Sequence, residues 1–379
     1  MAKIMGKKIL VTGGAGFIGG HLVDELLQKD HEVIIYDNLT PQVHGEEQTI
    51  PPYVPKKCRF LQKDVRDVDD LTKAIQEVDV IYHLAAEVGV GQSMYQIRKY
   101  VDANTLGTGT LLDILVNQEH NVEKLVVASS MATYGEGKSL CKACGTIHPT
   151  LRPKEQMEAR HWELICPSCN SDLVPVQTDE ESPQDCTSIY ALTKKDQEKM
   201  CMMIGKAYDI NTTALRFFNV YGSHQALSNP YTGVCAIFSS ALLNGNAPII
   251  YEDGLQTRDF VHVKDIVQAL VLAMEKPEAK HEVFNVGTGQ AFTIKQIAET
   301  LAEHVNPQIT PVIENKFRLG DIRHCIADIS KIQSMLGYSP KYRFEDGIQE
   351  LISWVELQRG KVVDKSSVAN KELKEKGLL

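Results

Sequence analysis

Ile9-Leu10-Val11-Thr12-Gly13-Gly14-Ala15-Gly16-Phe17-Ile18-Gly19 runs from a short apolar segment into a glycine-rich turn. The turn reads as Gly-x-Gly-x-x-Gly or as Gly-x-x-Gly-x-x-Gly, and a helical pattern follows from Gly19 to Gln28. Glycines let a backbone turn sharply and approach a pyrophosphate, whose charge then rests on the N-terminus of the next helix. A second apolar run, Val33-Ile34-Ile35-Tyr36, ends at Asp37, 18 residues after Gly19. A carboxylate there accepts hydrogen bonds from the ribose hydroxyls of NAD and repels the 2′-phosphate of NADP. The expected ligand is NAD, held by Gly13, Gly16, Phe17, Ile18, Gly19, Asp37 and Asn38.

Outward from this stretch the rhythm repeats. Apolar runs at Val80-Ile81-Tyr82 and Leu125-Val126-Val127 alternate with helical patterns over 71–78 and 104–117. Continuous apolar strands belong to a parallel sheet covered on both faces, so the fold class is α/β, a Rossmann-type doubly wound sheet. Beyond it, 188–208 reads as a helix, 213–217 as a buried strand and 294–304 as a helix in a smaller mixed α/β region. Asp64 either contacts the adenine or caps the next helix.

The 379 residues are 43% hydrophobic, enough for a large core, and the net charge of −9 argues against nucleic acid or an anionic membrane as the main partner. The N-terminal apolar run is too short for a signal peptide or a membrane span, which leads us to expect a cytoplasmic protein.

Tyr190 and Lys194 form Tyr-x-x-x-Lys on one helical face. An ammonium beside a phenol lowers its pKa and makes it a usable base near neutral pH. Upstream, Ala128-Ser129-Ser130-Met131-Ala132-Thr133-Tyr134-Gly135 follows a strand, where such a sheet offers ligands its carboxyl end. Together with the glycine turn, Asp37, His83-Leu84-Ala85-Ala86, Asn104 and Arg216-Phe217-Phe218-Asn219, these stretches resemble, in order, the extended short-chain dehydrogenases/reductases that act on nucleotide-sugars. The resemblance implies that Ser130 bonds the sugar hydroxyl, Tyr190 is the base, and Lys194 tunes it and holds the nicotinamide ribose. It further implies that Val65, Leu84, Ala85, Ala86, Asn104 and Phe217 line the cofactor, and that the chain is a homodimer through the helices around Asn104 and Tyr190.

In 4,6-dehydratases of this family an Asp-Glu pair follows the catalytic Thr; here Met131 and Ala132 stand there, and neither exchanges a proton. A 4-epimerase needs one base and a retained NAD, so NAD-dependent epimerisation at C4 through a 4-keto form is the expected reaction, ahead of a reductase or dehydrogenase with net redox change. By the same resemblance Asn219, Arg258, Arg318 and Asp321 hold the nucleotide diphosphate and its ribose, and Cys325 stands beside the sugar. Two guanidiniums suit a diphosphate.

Cys141-x2-Cys144 and Cys166-x2-Cys169 are separated by 21 residues, the spacing of a zinc ribbon in which four thiolates close a structural tetrahedral site. His148 and His161 are alternative ligands. The segment 137–176 reads as an insertion that lengthens the Tyr134-to-Tyr190 connection to 56 positions and serves as a lid, a sugar-pocket wall or a subunit contact. It resembles the insertion of a subgroup acting on dTDP-L-rhamnose, placing dTDP-6-deoxyhexoses beside UDP-hexoses as substrates. The expected division is a cofactor domain over 1–215 carrying the insertion, a mainly substrate-binding domain over 216–359, and a charged tail over 360–379 that is a surface helix or disordered.

Overall fold

The computed structural model describes residues 6–379. Its central sheet has seven parallel strands: β1 (Lys8–Thr12), β2 (Glu32–Asp37), β3 (Arg59–Gln62), β4 (Val80–His83), β5 (Lys124–Ser130), β6 (Asn211–Phe217) and β7 (Val283–Val286). They lie in the order β7-β6-β5-β4-β1-β2-β3. Successive side chains of a strand point to opposite faces, so Ile9 and Val11 join one core while Leu10 joins the other.

Helices cover both faces. On one, α1 (Phe17–Gln28) inserts Leu22 and Leu26. On the other lie α2 (Val68–Gln76), α3 (Gly107–Asn117) and α4 (Ile189–Ala207), through Leu71, Leu111 and Cys201. Returning beside α1, α5 (Val263–Glu275) packs Leu270 into the first core. Thus β7 and α5, although they lie beyond residue 215, belong to the central sheet and its cover.

The helical pattern that begins at Asn104 is preceded by a π-helical turn, Val101–Leu106, which carries Asn104. The helix expected from Leu71 starts at Val68 because Asp67, not Asp64, caps it by accepting from the Asp70 amide at 3.1 Å.

A third core gathers helix Val234–Leu243, α6 (Ile294–Val305) and α7 (Phe344–Leu357). The tail forms α8 (Ser366–Glu375), with Ala369 and Leu373 buried. The insertion folds as three short strands, Ser139–Cys141, Gly145–Ile147 and Val174–Pro175, in one antiparallel sheet. Among the described residues no helix is long and apolar enough to cross a membrane.

Candidate active site

The chain runs from β1 outward through β2 and β3, then crosses back to β4. That reversal opens a crevice at the carboxyl ends of the strands, where doubly wound sheets take ligands. A cavity of about 630 Å³ lies there. Gly13, Gly16, Phe17, Ile18, Gly19, Asp37, Asn38, Asp64 and Val65 line it, as do Leu84, Ala85, Ala86, Ser130, Tyr190, Lys194, Phe217, Asn219, Arg258, Arg318 and Asp321. Asn104 and Cys325 do not.

The glycine turn is shaped for close approach. Gly13 has φ +70°, and a Cβ there would lie 2.9 Å from the Ala85 nitrogen; one on Gly19 would lie 2.2 Å from the Gly13 oxygen. Asp37 braces the turn, accepting from the Ala15 amide at 3.0 Å and the Leu39 amide at 2.9 Å. The Asp64 carboxylate is taken up by Arg66 and by the Asn38 amide at 2.9 Å; the Arg66 hydrogen bonds hold it down at about 2.

Ser188 caps α4 by accepting from the Ala191 amide, and Ser93 Oγ accepts from the Tyr190 amide at 3.0 Å, so the first turn of the helix is fixed where Tyr190 enters the cavity. Burial pushes the Tyr190 phenol up, and a hydrogen bond with Ser130 counteracts it. One turn on, burial pulls the Lys194 ammonium down to about 8. Lys194 Nζ donates to Gln197 Oε1 at 2.7 Å, and Gln197 donates to Thr108 Oγ1 at 2.8 Å. His83 joins the same buried chain through Thr108 and Thr12, 2.9 Å to each.

The expectation that Asn104 lines the cofactor is corrected. It is fully buried; its Oδ1 accepts from the Glu87 amide at 2.7 Å and its Nδ2 donates to Thr193 Oγ1 at 2.9 Å. The π-helical turn aims it between the loop after β4 and α4, behind the cavity wall. Cys325 is corrected likewise. Its strand, His324–Cys325, pairs with Thr257–Arg258, and the thiol packs into the first core, 1% exposed, rather than facing the cavity.

At the far end, the Arg258 guanidinium donates to the carbonyls of Thr257, Ile322 and Arg323. Arg318 donates to Asp321 at 2.9 Å and lies 4.7 Å over the Tyr251 ring. Three buried oxygens in the cavity wall, Asn219 Oδ1, Gln225 Oε1 and Gln256 Oε1, have no hydrogen-bond partner. Buried polar atoms ordinarily find partners, so these point to a polar ligand.

Two buried charge clusters escaped the sequence reading, because partners far apart in sequence share no local pattern. Arg216 makes paired bonds to Glu198 at 2.8 and 2.7 Å, and Ser129 donates to Glu198 at 2.7 Å directly beneath Ser130. In the insertion, Arg152 makes paired 2.8 Å bonds to Glu252, which lines the cavity, and a 3.1 Å bond to the Asp321 carbonyl. The insertion therefore braces the far wall of the cavity.

The sulfurs of Cys141, Cys144, Cys166 and Cys169 lie within 4.8 Å of one another. Four thiolates about 2.3 Å from a zinc ion sit roughly 3.8 Å apart, between the 3.4 Å of Cys141 and Cys169 and the 4.8 Å limit, so the group fits that metal with small shifts. His161 is paired instead with Asp172 at 3.1 Å, and neither it nor His148 belongs to the cluster.

A profile of the NAD dependent epimerase/dehydratase family matches residues 9–156, and one described as GDP-mannose 4,6 dehydratase matches 172–351. The chain is 37% identical to a dTDP-L-rhamnose 4-epimerase from Burkholderia thailandensis, over 93% of this chain and 97% of that one. Among solved structures it is similar to the UDP-glucose 4-epimerase of Thermotoga maritima with UDP-glucose, at TM-score 0.75 and 29% identity over 93% and 99% of the two chains. It is also similar to the UDP-glucose 4-epimerase of Thermus thermophilus in complex with NAD, at TM-score 0.73 and 29% identity over 92% and 99%.

Proposed function

The chain belongs to the NAD-dependent epimerase/dehydratase family, and from that premise we propose that it epimerises C4 of a nucleotide-diphosphate sugar, with dTDP-L-rhamnose or another dTDP-6-deoxyhexose ahead of UDP-hexoses. The observation that carries the reading is the convergence of Tyr190, Lys194 and Ser130 with the glycine turn and with Arg258 and Arg318 on one cavity.

Gly13, Gly16 and Gly19 would hold the pyrophosphate of NAD, Asp37 its ribose, and Lys194 its nicotinamide ribose. Bound there, NAD would supply a reversible hydride acceptor for C4, so that no net redox change would result. Tyr190 Oη takes the proton of the 4-hydroxyl and later gives it back, while Ser130 orients that hydroxyl. The Ser130 hydrogen bond counteracts the upward push of burial on Tyr190, and the Lys194 ammonium one helical turn on would further favour the phenolate. Arg258, Arg318 and Asn219 hold the nucleotide end, leaving the sugar free to turn between the two transfers. Dehydration is disfavoured because Met131 and Ala132 line the cavity where an acid and a base would be required.

Zinc in the four-cysteine cluster would be structural, since four thiolates leave no position open for substrate. The homodimer is supported by exposed apolar side chains on adjoining helices: Leu106 (55%), Leu192 (46%) and Met203 (62%).

The test is incubation of the purified protein, without added cofactor, with dTDP-L-rhamnose, UDP-glucose and UDP-N-acetylglucosamine separately, following C4 configuration by NMR. Interconversion of one establishes the reaction and its substrate; steady consumption of NADH or NADPH with a keto-sugar would replace it with a net reductase.

A further inference from the structure

Helix α8 turns one face to the cavity. Ser366, Ala369, Asn370 and Leu373 line it at the i, i+3, i+4, i+7 spacing of a single helical stripe. The stripe is fastened on two sides. On one, Glu372 accepts from the phenols of Tyr95 and Tyr231, each at 2.6 Å, and Leu373 packs so closely on Gly91 that a Cβ there would meet Leu373 Cδ2 at 3.2 Å. On the other, Tyr251 donates to Asn370 Oδ1 at 3.0 Å, and the Leu319 amide donates to the Leu378 carbonyl at 3.1 Å. The tail thus straps the loop after β4 to the segment that carries Arg318 and Asp321.

We infer that α8 is a movable wall of the substrate site, whose Asn370 and Leu373 contact the bound nucleotide-sugar while Glu372 latches the cavity shut. A ten-residue helix has little stability of its own, so its docking depends on these few contacts and opens at far less than the cost of unfolding. The inference rests on the 4-epimerase reading for its chemical consequence. Once the C4 hydride and the O4 proton have left, the sugar is a neutral ketone. A ketone that escaped at that point would leave its hydride on the dinucleotide and its O4 proton on the protein, a loss that a closed wall prevents.

The test compares the full chain with a chain ending at Lys365 and with Glu372→Ala and Asn370→Ala. Truncation should raise KM for the nucleotide-sugar about tenfold and cause the near-ultraviolet absorbance of reduced dinucleotide to accumulate during turnover, with smaller effects in the same direction for the single variants. A truncated chain that melts as the full chain does, yet keeps its KM and accumulates no reduced dinucleotide, overturns the inference. If the truncated chain does not fold, unchanged KM and absorbance in both single variants overturn it equally. Hydrogen exchange supplies a readout without turnover: UDP or dTDP should slow exchange of the amides of 366–378. Nucleotide binding that leaves them unprotected defeats the wall, whereas protection without turnover of any sugar defeats only the epimerase reading.

Discussion

Asn104 Nδ2 donates to Thr193 Oγ1 at 2.9 Å, one residue before Lys194, while its Oδ1 holds the Glu87 amide. One buried amide therefore sets the position of α4 against the loop after β4. Asn104→Ala leaves the Glu87 amide and the Thr193 hydroxyl without this partner and should cost about 1–3 kcal/mol of stability. Because Tyr190 and Lys194 ride on the same helix, kcat should fall more than KM rises; thermal melts and steady-state kinetics check both.

Tyr190→Phe removes the proton acceptor and should lower kcat by about 10²–10⁴-fold. Lys194→Met should move the rising limb of the pH profile upward, since the ammonium is the charge that favours the phenolate. In the free protein Lys194 loses its proton as pH rises through about 8, so kcat/KM should decline above that pH. A profile unmoved by Lys194→Met would remove this role.

Glu198 and Arg216 are both buried, at 0% and 3% side-chain exposure. Burial pushes the Glu198 carboxyl up, but the Arg216 hydrogen bonds and charge outweigh it and hold it below the usual 4.5. The folded pKa lies below the unfolded one, so this stabilisation is present above pH 4.5 and is lost as pH falls through the folded value. Glu198→Ala, which strands the guanidinium, should cost about 3–5 kcal/mol and flatten that acid limb in chemical denaturation.

Metal analysis of protein purified without chelator should find about one zinc per chain, lost in Cys141→Ser. Because Arg152 ties the insertion to Glu252 and the Asp321 carbonyl, stripping the metal should raise KM for the nucleotide-sugar while leaving NAD content unchanged. Zinc-free protein with the insertion still protected from proteolysis would rule out a folding role for the ion.

Light scattering should give the mass of a dimer, and Leu106→Glu combined with Met203→Glu should give a monomer. A monomeric unsubstituted chain would overturn the helical interface.

Local chemistry was legible in the sequence. A glycine turn after a strand, Asp37 at the end of the next strand and Tyr190 four residues before Lys194 are patterns whose meaning lies in spacing along one chain segment, and the cavity brings those residues together. The same local periodicity specified the alternating strands and helices, because sheet burial and helix pitch act on near neighbours. What the tertiary structure alone decided involves partners distant in sequence. It set Asn104 behind the wall, because a π-helical turn rotates it toward Thr193, and it put Cys325 in the core, through pairing of its strand with Arg258. It joined Arg152 to Glu252, 100 positions away, and it laid the charged tail, whose sequence reads as a surface helix or disordered, across the cavity. No spacing rule predicts such contacts, since burial and charge pairing depend on where the folded chain brings its segments together.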